Sequence, residues 1–323
     1  MRVSIPRQQN TRTPAVLSIL TRNSMANASV AVVLRSACAA LLIVSGTAFA
    51  TAQRTFVASY GNDANPCTLT QPCRGFAAAI AQANAGGEVI VLDSAGYGRV
   101  DITQSVSIIA PPGIYAGITV PLGTSGVNVN GAGTSVVLRG LTVDGSTGNI
   151  GIQFTGDTNT NFVVEDCEIS NMLVAGIEVN SAGTVMIRNT RLRHNQTGIH
   201  THASVVTVDS VRVADSVQYG VLADDGTTMT IVNSVLSGNK SVGVRAFTVS
   251  STTSILISQS TISGSPKGAV VAANTGKTAY MTVAGNTFNG AAAAFTVGGA
   301  GGIENIYTAG NNTDAQAFGV SIH

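Results

Sequence analysis

Five side chains in the middle of this chain could do chemistry together: Glu178, His200, His202, Asp224 and Arg245. Each follows a glycine–aliphatic pair at a fixed offset. Two residues past the glycines of Gly151-Ile152, Gly176-Ile177, Gly198-Ile199, Gly220-Val221 and Gly243-Val244 stand Gln153, Glu178, His200, Leu222 and Arg245. Four past them stand Thr155, Asn180, His202, Asp224 and Phe247. Strand residues two apart share a face, so recurring extended segments would gather the five into one outward patch. Imidazoles beside carboxylates can serve as general acids and bases. An arginine among them can hold a carboxylate, as a uronate-bearing sugar requires. His200, His202 and Asp224 also have the donor types of a metal site, but two histidines and loose carboxylates are a weak signature, so no metal is assigned. The ordinary alternative for the whole patch is a solvated surface with cross-strand pairs. The five are therefore read as binding residues, with no catalytic residue and no cofactor assigned.

The elements that would position them repeat seven times between Val136 and Val297. The first apolar pair of each repeat is Val136/Leu138, Phe162/Val164, Val185/Ile187, Val206/Val208, Met229/Ile231, Ile255/Ile257 and Met281/Val283. A third anchor follows at Val143, Ile169, Leu192, Val213, Leu236, Ile262 and Phe288. Repeats of 21 to 26 residues with short alternating segments bounded by Gly, Asn, Asp, Ser or Thr leave room for three strands and their turns per coil. Parallel crossovers of this kind are right-handed, and the hexapeptide beat of a left-handed β-helix is missing. The expectation is an all-β, right-handed parallel β-helix spanning 88–323, preceded over 51–87 by a cap with a short helix. After Phe288 the pattern decays, as terminal repeats do.

Columns of equivalent residues predict ladders of charge. Arg139, Glu165, Arg188 and Asp209 alternate in sign on successive rungs, and Glu168, Arg191 and Arg212 form a second column. These offset one another along the stack, so Glu165, Asp166 and Glu168 are assigned to structure and not to a catalytic carboxylate cluster. His194 and Asp215 are expected to pair on neighbouring rungs.

Residues 1–50 hold five arginines and no acid, then an aliphatic run from Ser36 to Ala50 closing on A-x-A sites at Ala48-Phe49-Ala50 and Ala50-Thr51-Ala52. This reads as a secretory signal peptide, and 25–50 alone would make a complete one. An uncleaved anchor is the alternative, disfavoured by the short apolar run. Past the signal, 12 basic and 16 acidic residues leave a charge of about −4 with no basic run, which argues against a nucleic-acid partner, and no membrane insertion is expected once the signal is cleaved. The expected location is secreted, periplasmic or cell envelope. Cys67 and Cys73, in a turn-rich stretch of an exported chain, are expected to form a disulfide. Cys167 is expected to be a packed thiol. Phe76, Ile80 and Ala83 place the one helix at 74–85, stopped by Gly86-Gly87.

The opening TFVASYG of Thr55–Gly61, the Cys67/Cys73 pair and GEVIVLDSAGYG of Gly87–Gly98 resemble a group of bacterial secreted proteins with right-handed β-helix repeats. By fold these sit in the pectin lyase-like superfamily. The resemblance covers residues 55–323 and implies an architecture that serves lyases, hydrolases, esterases, epimerases, tailspikes and adhesins alike. The local signatures of its enzymes are missing here: there is no Gly-His-Gly, Arg-Ile-Lys or Trp-Ile-Asp-His, and no tryptophan. The expected function is a non-catalytic exported β-helix that binds a surface glycan or another extracellular partner. The alternative is a uronate lyase using Glu178, His200, His202 and Arg245, and a third reading is a structural envelope component.

Overall fold

The computed structural model describes residues 52–180 and 183–314. The signal-peptide segment, residues 1–50, lies outside the described residues. From Ala52 onward the chain winds as a right-handed parallel β-solenoid of three sheets, with 11, 10 and 9 strands. In every sheet each strand between the two end strands pairs with strands from the coils before and after it, so neighbours in space are a whole coil apart in sequence. The sequence repeats coincide with these rungs. Val136, Phe162, Val185, Val206, Met229, Ile255 and Met281 stand in register in the first sheet. Val143, Ile169, Leu192, Val213, Leu236, Ile262 and Phe288 do so in the second.

Alternation is what buries this core. Along Thr184–Arg188 the pattern is exposed, buried, exposed, buried, exposed, so Val185 and Ile187 face inward while Met186 faces water. Inward Val, Ile, Leu and Phe side chains from all three sheets make one continuous apolar column from Val57 to Ile306. Each such side chain contributes about 1.5–3 kcal/mol.

The glycine of each glycine–aliphatic pair marks the entrance to the third sheet, and close stacking explains it. A Cβ on Gly151, Gly176, Gly198, Gly220 or Gly243 would come within 2.5–2.8 Å of the carbonyl oxygen of the glycine one rung on. Only a residue without a side chain lets the coils stack at that corner.

Polar residues turn inward at two corners and satisfy the backbone there. At the first, Ser234, Ser260, Asn286 and Asn312 accept hydrogen bonds from the backbone N–H groups of Val211, Ser234, Ser260 and Asn286, each one rung back (2.9–3.1 Å). At the second, Asn195 Oδ1 accepts from Met172 N–H at 3.0 Å and Asn239 Oδ1 from Ser216 N–H at 3.1 Å. Both asparagines are fully buried.

At the start of the solenoid, strand Ala52–Val57 pairs in parallel with Ala83–Val91, so the first sheet begins inside the segment that the sequence assigns to the cap. The helix is shorter than expected, Phe76–Gln82, with Phe76, Ala79 and Ile80 buried. It ends before Gly86-Gly87 because Ala83 already has extended backbone and begins the strand that pairs with Ala52–Val57. Cys67 and Cys73 form the expected disulfide, and Cys167 is a buried free thiol whose burial pushes it up to about 12. Among the described residues no helix is long and apolar enough to cross a membrane.

The charge ladders form with two changes of partner. Glu165 stands between Arg139 and Arg188, 2.5 Å from each. Arg188 spends its guanidinium on Glu165, and Asp209 instead accepts from Asn233 at 3.1 Å. Glu168 is in register with Arg191, yet its ion pair is with Arg193 at 2.7 Å, the residue two further along the same strand. His194 and Asp215 stand at 4.0 Å, both exposed.

Candidate functional site

The third sheet carries the predicted patch on its outward face. Strands Ala175–Asn180, Thr197–His202, Tyr219–Asp224 and Val242–Thr248 lie side by side, with Glu178 opposite His200, Asn180 opposite His202, His202 opposite Asp224 and Leu222 opposite Arg245. The five residues therefore share one face but not one cluster. Leu222 sits between His200 and Arg245 in their column, and it divides the patch into two parts.

The lower part is compact. His200 Nε2–H donates to Asp224 Oδ2 at 3.0 Å, a diagonal contact between neighbouring strands. The side chains of His200 and Asp224 are only 20% and 14% exposed. The ring centroids of His200 and His202 are 4.4 Å apart. Glu178 accepts from Asn180 Nδ2 at 3.0 Å on the rung before. Burial of His202, helped by the neighbouring His200 and opposed by Asp224, Glu178 and Asp225, holds its imidazole below the ordinary range. Asp224 Oδ1 is buried and has no hydrogen-bond partner. Asp225 belongs to the turn, as its sequence DDG implies: its carboxylate accepts from the backbone N–H groups of Val249 and Ser250 at 2.6 and 2.8 Å.

The upper part is built around Arg245. Its Nη1 donates to the Tyr219 hydroxyl at 2.8 Å, and its guanidinium carbon lies 4.7 Å from the centroid of Phe247 and 5.5 Å from that of Tyr219. Arg245 also lines an open groove of about 270 Å³ with Tyr219, Lys267, Val270 and Thr296. Tyr219 and Lys267 are absent from the sequence-derived site. Their signal was positional: each immediately precedes the glycine of its repeat, Gly220 and Gly268, and that column reads Ala175, Thr197, Tyr219, Val242, Lys267 in register.

Below the histidines the same face continues as a polar row. Asp101, Asn128, Gln153 and Glu178 occupy one column, with Asn128 Nδ2 donating to Asp101 at 3.1 Å and Gln153 Oε1 accepting from Ser125 at 2.8 Å. Rungs repeat about every 4.8 Å.

Fold and face together define a right-handed parallel β-solenoid that presents a linear outward row of polar, ionisable and aromatic side chains. The chain belongs to the right handed beta helix region family, whose profile matches residues 125–288, just over half of its length. The fold is shared with the pectate lyase Pel9A at a TM-score of 0.58 and 15% identity, covering 80% of this chain and 79% of that one. It is likewise similar to the complex structure of XylC with xylose at a TM-score of 0.56 and 10% identity, covering 79% of this chain and 70% of that one. At these identities the likeness is one of fold, and it bears out the pectin lyase-like architecture. No curated protein sequence matches the chain.

Proposed function

We propose that this protein is an exported, non-catalytic solenoid that binds an acidic glycan along the outward face of its third sheet. The observation that carries the proposal is the groove lined by Tyr219, Arg245 and Lys267, in which the Arg245 guanidinium lies over the ring of Tyr219. Two cations at one edge suit the carboxylate of a uronate, and an aromatic face suits the apolar side of a sugar ring. The polar row from Asp101 to His200 then offers donors and acceptors to further sugars of the same strand. Beyond residue 50 the chain is acidic overall, but at physiological ionic strength charges act over about 8 Å, so the local pair of cations governs the groove.

The lyase alternative needs a proton acceptor and a carboxylate clamp on one sugar. Arg245 is two rungs from His200, about 10 Å along the stack. That separation favours binding over elimination. The short N-terminal helix, packed on the first strands, supports a capping role. The arginine-rich, acid-free leader with its A-x-A sites supports export.

The test is a panel of polygalacturonate, alginate and glycosaminoglycans against neutral dextran, with an ultraviolet assay for unsaturated uronate run alongside. Saturable binding to an acidic polymer, lost with Arg245→Ala or Lys267→Ala and without ultraviolet signal, is the expected result. Absorbance that grows with time would replace the binding reading with a lyase. Silence across the panel would remove both.

A further inference from the structure

We propose that His200, His202 and Asp224 form a binding site for a divalent transition-metal ion of the zinc class. Each offers one ligand atom, and these atoms all lie within 4.8 Å of one another. The His200 Nε2 to Asp224 Oδ2 distance is 3.0 Å. Ligand atoms bound at about 2.0–2.1 Å around a tetrahedral ion stand about 3.4 Å apart, so small rotamer adjustments bring all three onto one ion.

The fold holds these groups together without help from a metal. His200 and His202 are two apart on one strand and therefore face the same way, and Asp224 is in register with His202 on the next rung. All three are part-buried, so water competes less for the ion than at an open surface. A second observation points the same way. Asp224 Oδ1 is buried with no hydrogen-bond partner, a deficit that a cation on the carboxylate would offset. On binding, the ion replaces the proton on His200 Nε2, and the imidazole changes tautomer, releasing that proton to water and taking one up at Nδ1, with no net change in charge on the ring.

Donor chemistry selects the ion. Two imidazoles and one carboxylate suit zinc, nickel or copper, whereas calcium calls for six to eight oxygens, which this cluster does not supply. Three protein ligands leave one position open, as in zinc sites that also hold an exogenous group. Sequence alone assigned no metal here because two histidines and loose carboxylates are a weak signature until their distances are known.

This proposal stands independently of the glycan reading, since metal binding is measured with no glycan present. The experiment is calorimetric titration of chelator-stripped protein with zinc chloride, then nickel chloride and calcium chloride. Expected are one zinc ion per chain, a weaker response to calcium, and affinity falling by more than about tenfold in His202→Gln and Asp224→Asn. His194→Ala, which removes an exposed histidine outside the ligand set, keeps the zinc affinity of the parent. No saturable stoichiometry, equal affinity in the ligand variants, or tighter binding of calcium than zinc would overturn the proposal. Should a variant lose its far-ultraviolet β signal, zinc-edge X-ray absorption of the parent protein decides. Scattering from two imidazoles supports the site, and an oxygen-only shell rejects it.

Discussion

Replacing Asn195 by alanine tests whether the solenoid depends on polar side chains turned into its interior. Asn195 is fully buried and its amide does two jobs. Oδ1 accepts from Met172 N–H at 3.0 Å, and Nδ2 donates to the Ile169 carbonyl at 3.3 Å, both one rung back. Alanine leaves that N–H and C=O without these partners in a region that admits little water. An orphaned buried group costs about 1–3 kcal/mol, so two of them imply a loss of about 2–6 kcal/mol. Asn239, two rungs on, supplies an internal comparison. It accepts from Ser216 N–H at 3.1 Å, but its Nδ2 has no hydrogen-bond partner, so Asn239→Ala should cost about half as much. Guanidinium unfolding followed by far-ultraviolet circular dichroism gives the comparison, provided the slopes agree, because repeat arrays can unfold in stages. Hydrogen exchange adds a local readout: the Met172 amide should exchange faster in Asn195→Ala while distant rungs keep their protection. Equal losses for the two variants, or a loss below about 0.5 kcal/mol for Asn195→Ala, would refute the reasoning.

Four further outcomes follow from the same geometry. Gly220→Ala would bring a Cβ to 2.5 Å from the Gly243 carbonyl, and the expected loss is about 1–3 kcal/mol, read as a lower unfolding midpoint. Glu165→Gln removes the carboxylate shared by Arg139 and Arg188 while both arginines stay in contact with water, so the expected loss is about 1 kcal/mol or less, and it should shrink in high salt. Reducing the Cys67–Cys73 disulfide should cost about 2 kcal/mol on the chain-entropy view, checked by thermal melts with and without reductant. Burial alone would raise the Asp93 carboxyl, but hydrogen bonds from Ser59 and Tyr97 with the charge of Arg74 outweigh it and hold it below its usual value of 3.8. Its contribution is therefore full above about pH 4 and lost as pH falls through the lower folded value, so the melting difference between parent and Asp93→Asn should be largest near neutrality and vanish in acid.

Most of the fold was legible in the sequence because three apolar columns repeat within a narrow range of steps, and a one-residue slip would turn each inward set outward. Phe162 and Val185 fall in register in space as their spacing requires. The earliest rungs were less legible. Strand Ala52–Val57 and the coil at Val106–Ile109 precede the regular repeat, and between them a helix and a disulfide loop interrupt the period. The outward patch was legible as a face but not as two clusters, since separating His200 from Arg245 needed the intervening Leu222 to be weighed as a spacer. Tyr219 and Lys267 went unread because the columns followed residues after each glycine and not before it. Asn195 and Asn239 were also missed, because periodicity counts apolar residues and a buried amide looks like a turn residue until its partners one rung away are known.

The central claim is that the third-sheet face binds an acidic glycan through the groove of Tyr219, Arg245 and Lys267. Its most direct measurement is calorimetric titration of the purified protein with polygalacturonate and alginate oligosaccharides, beside the double variant Arg245→Ala/Lys267→Ala and a neutral oligosaccharide. The account predicts saturable binding to at least one acidic ligand, weakened by more than about tenfold in the double variant and by added salt, with no binding to the neutral ligand. Undiminished binding by the double variant, or equal binding to neutral and acidic ligands, would contradict it.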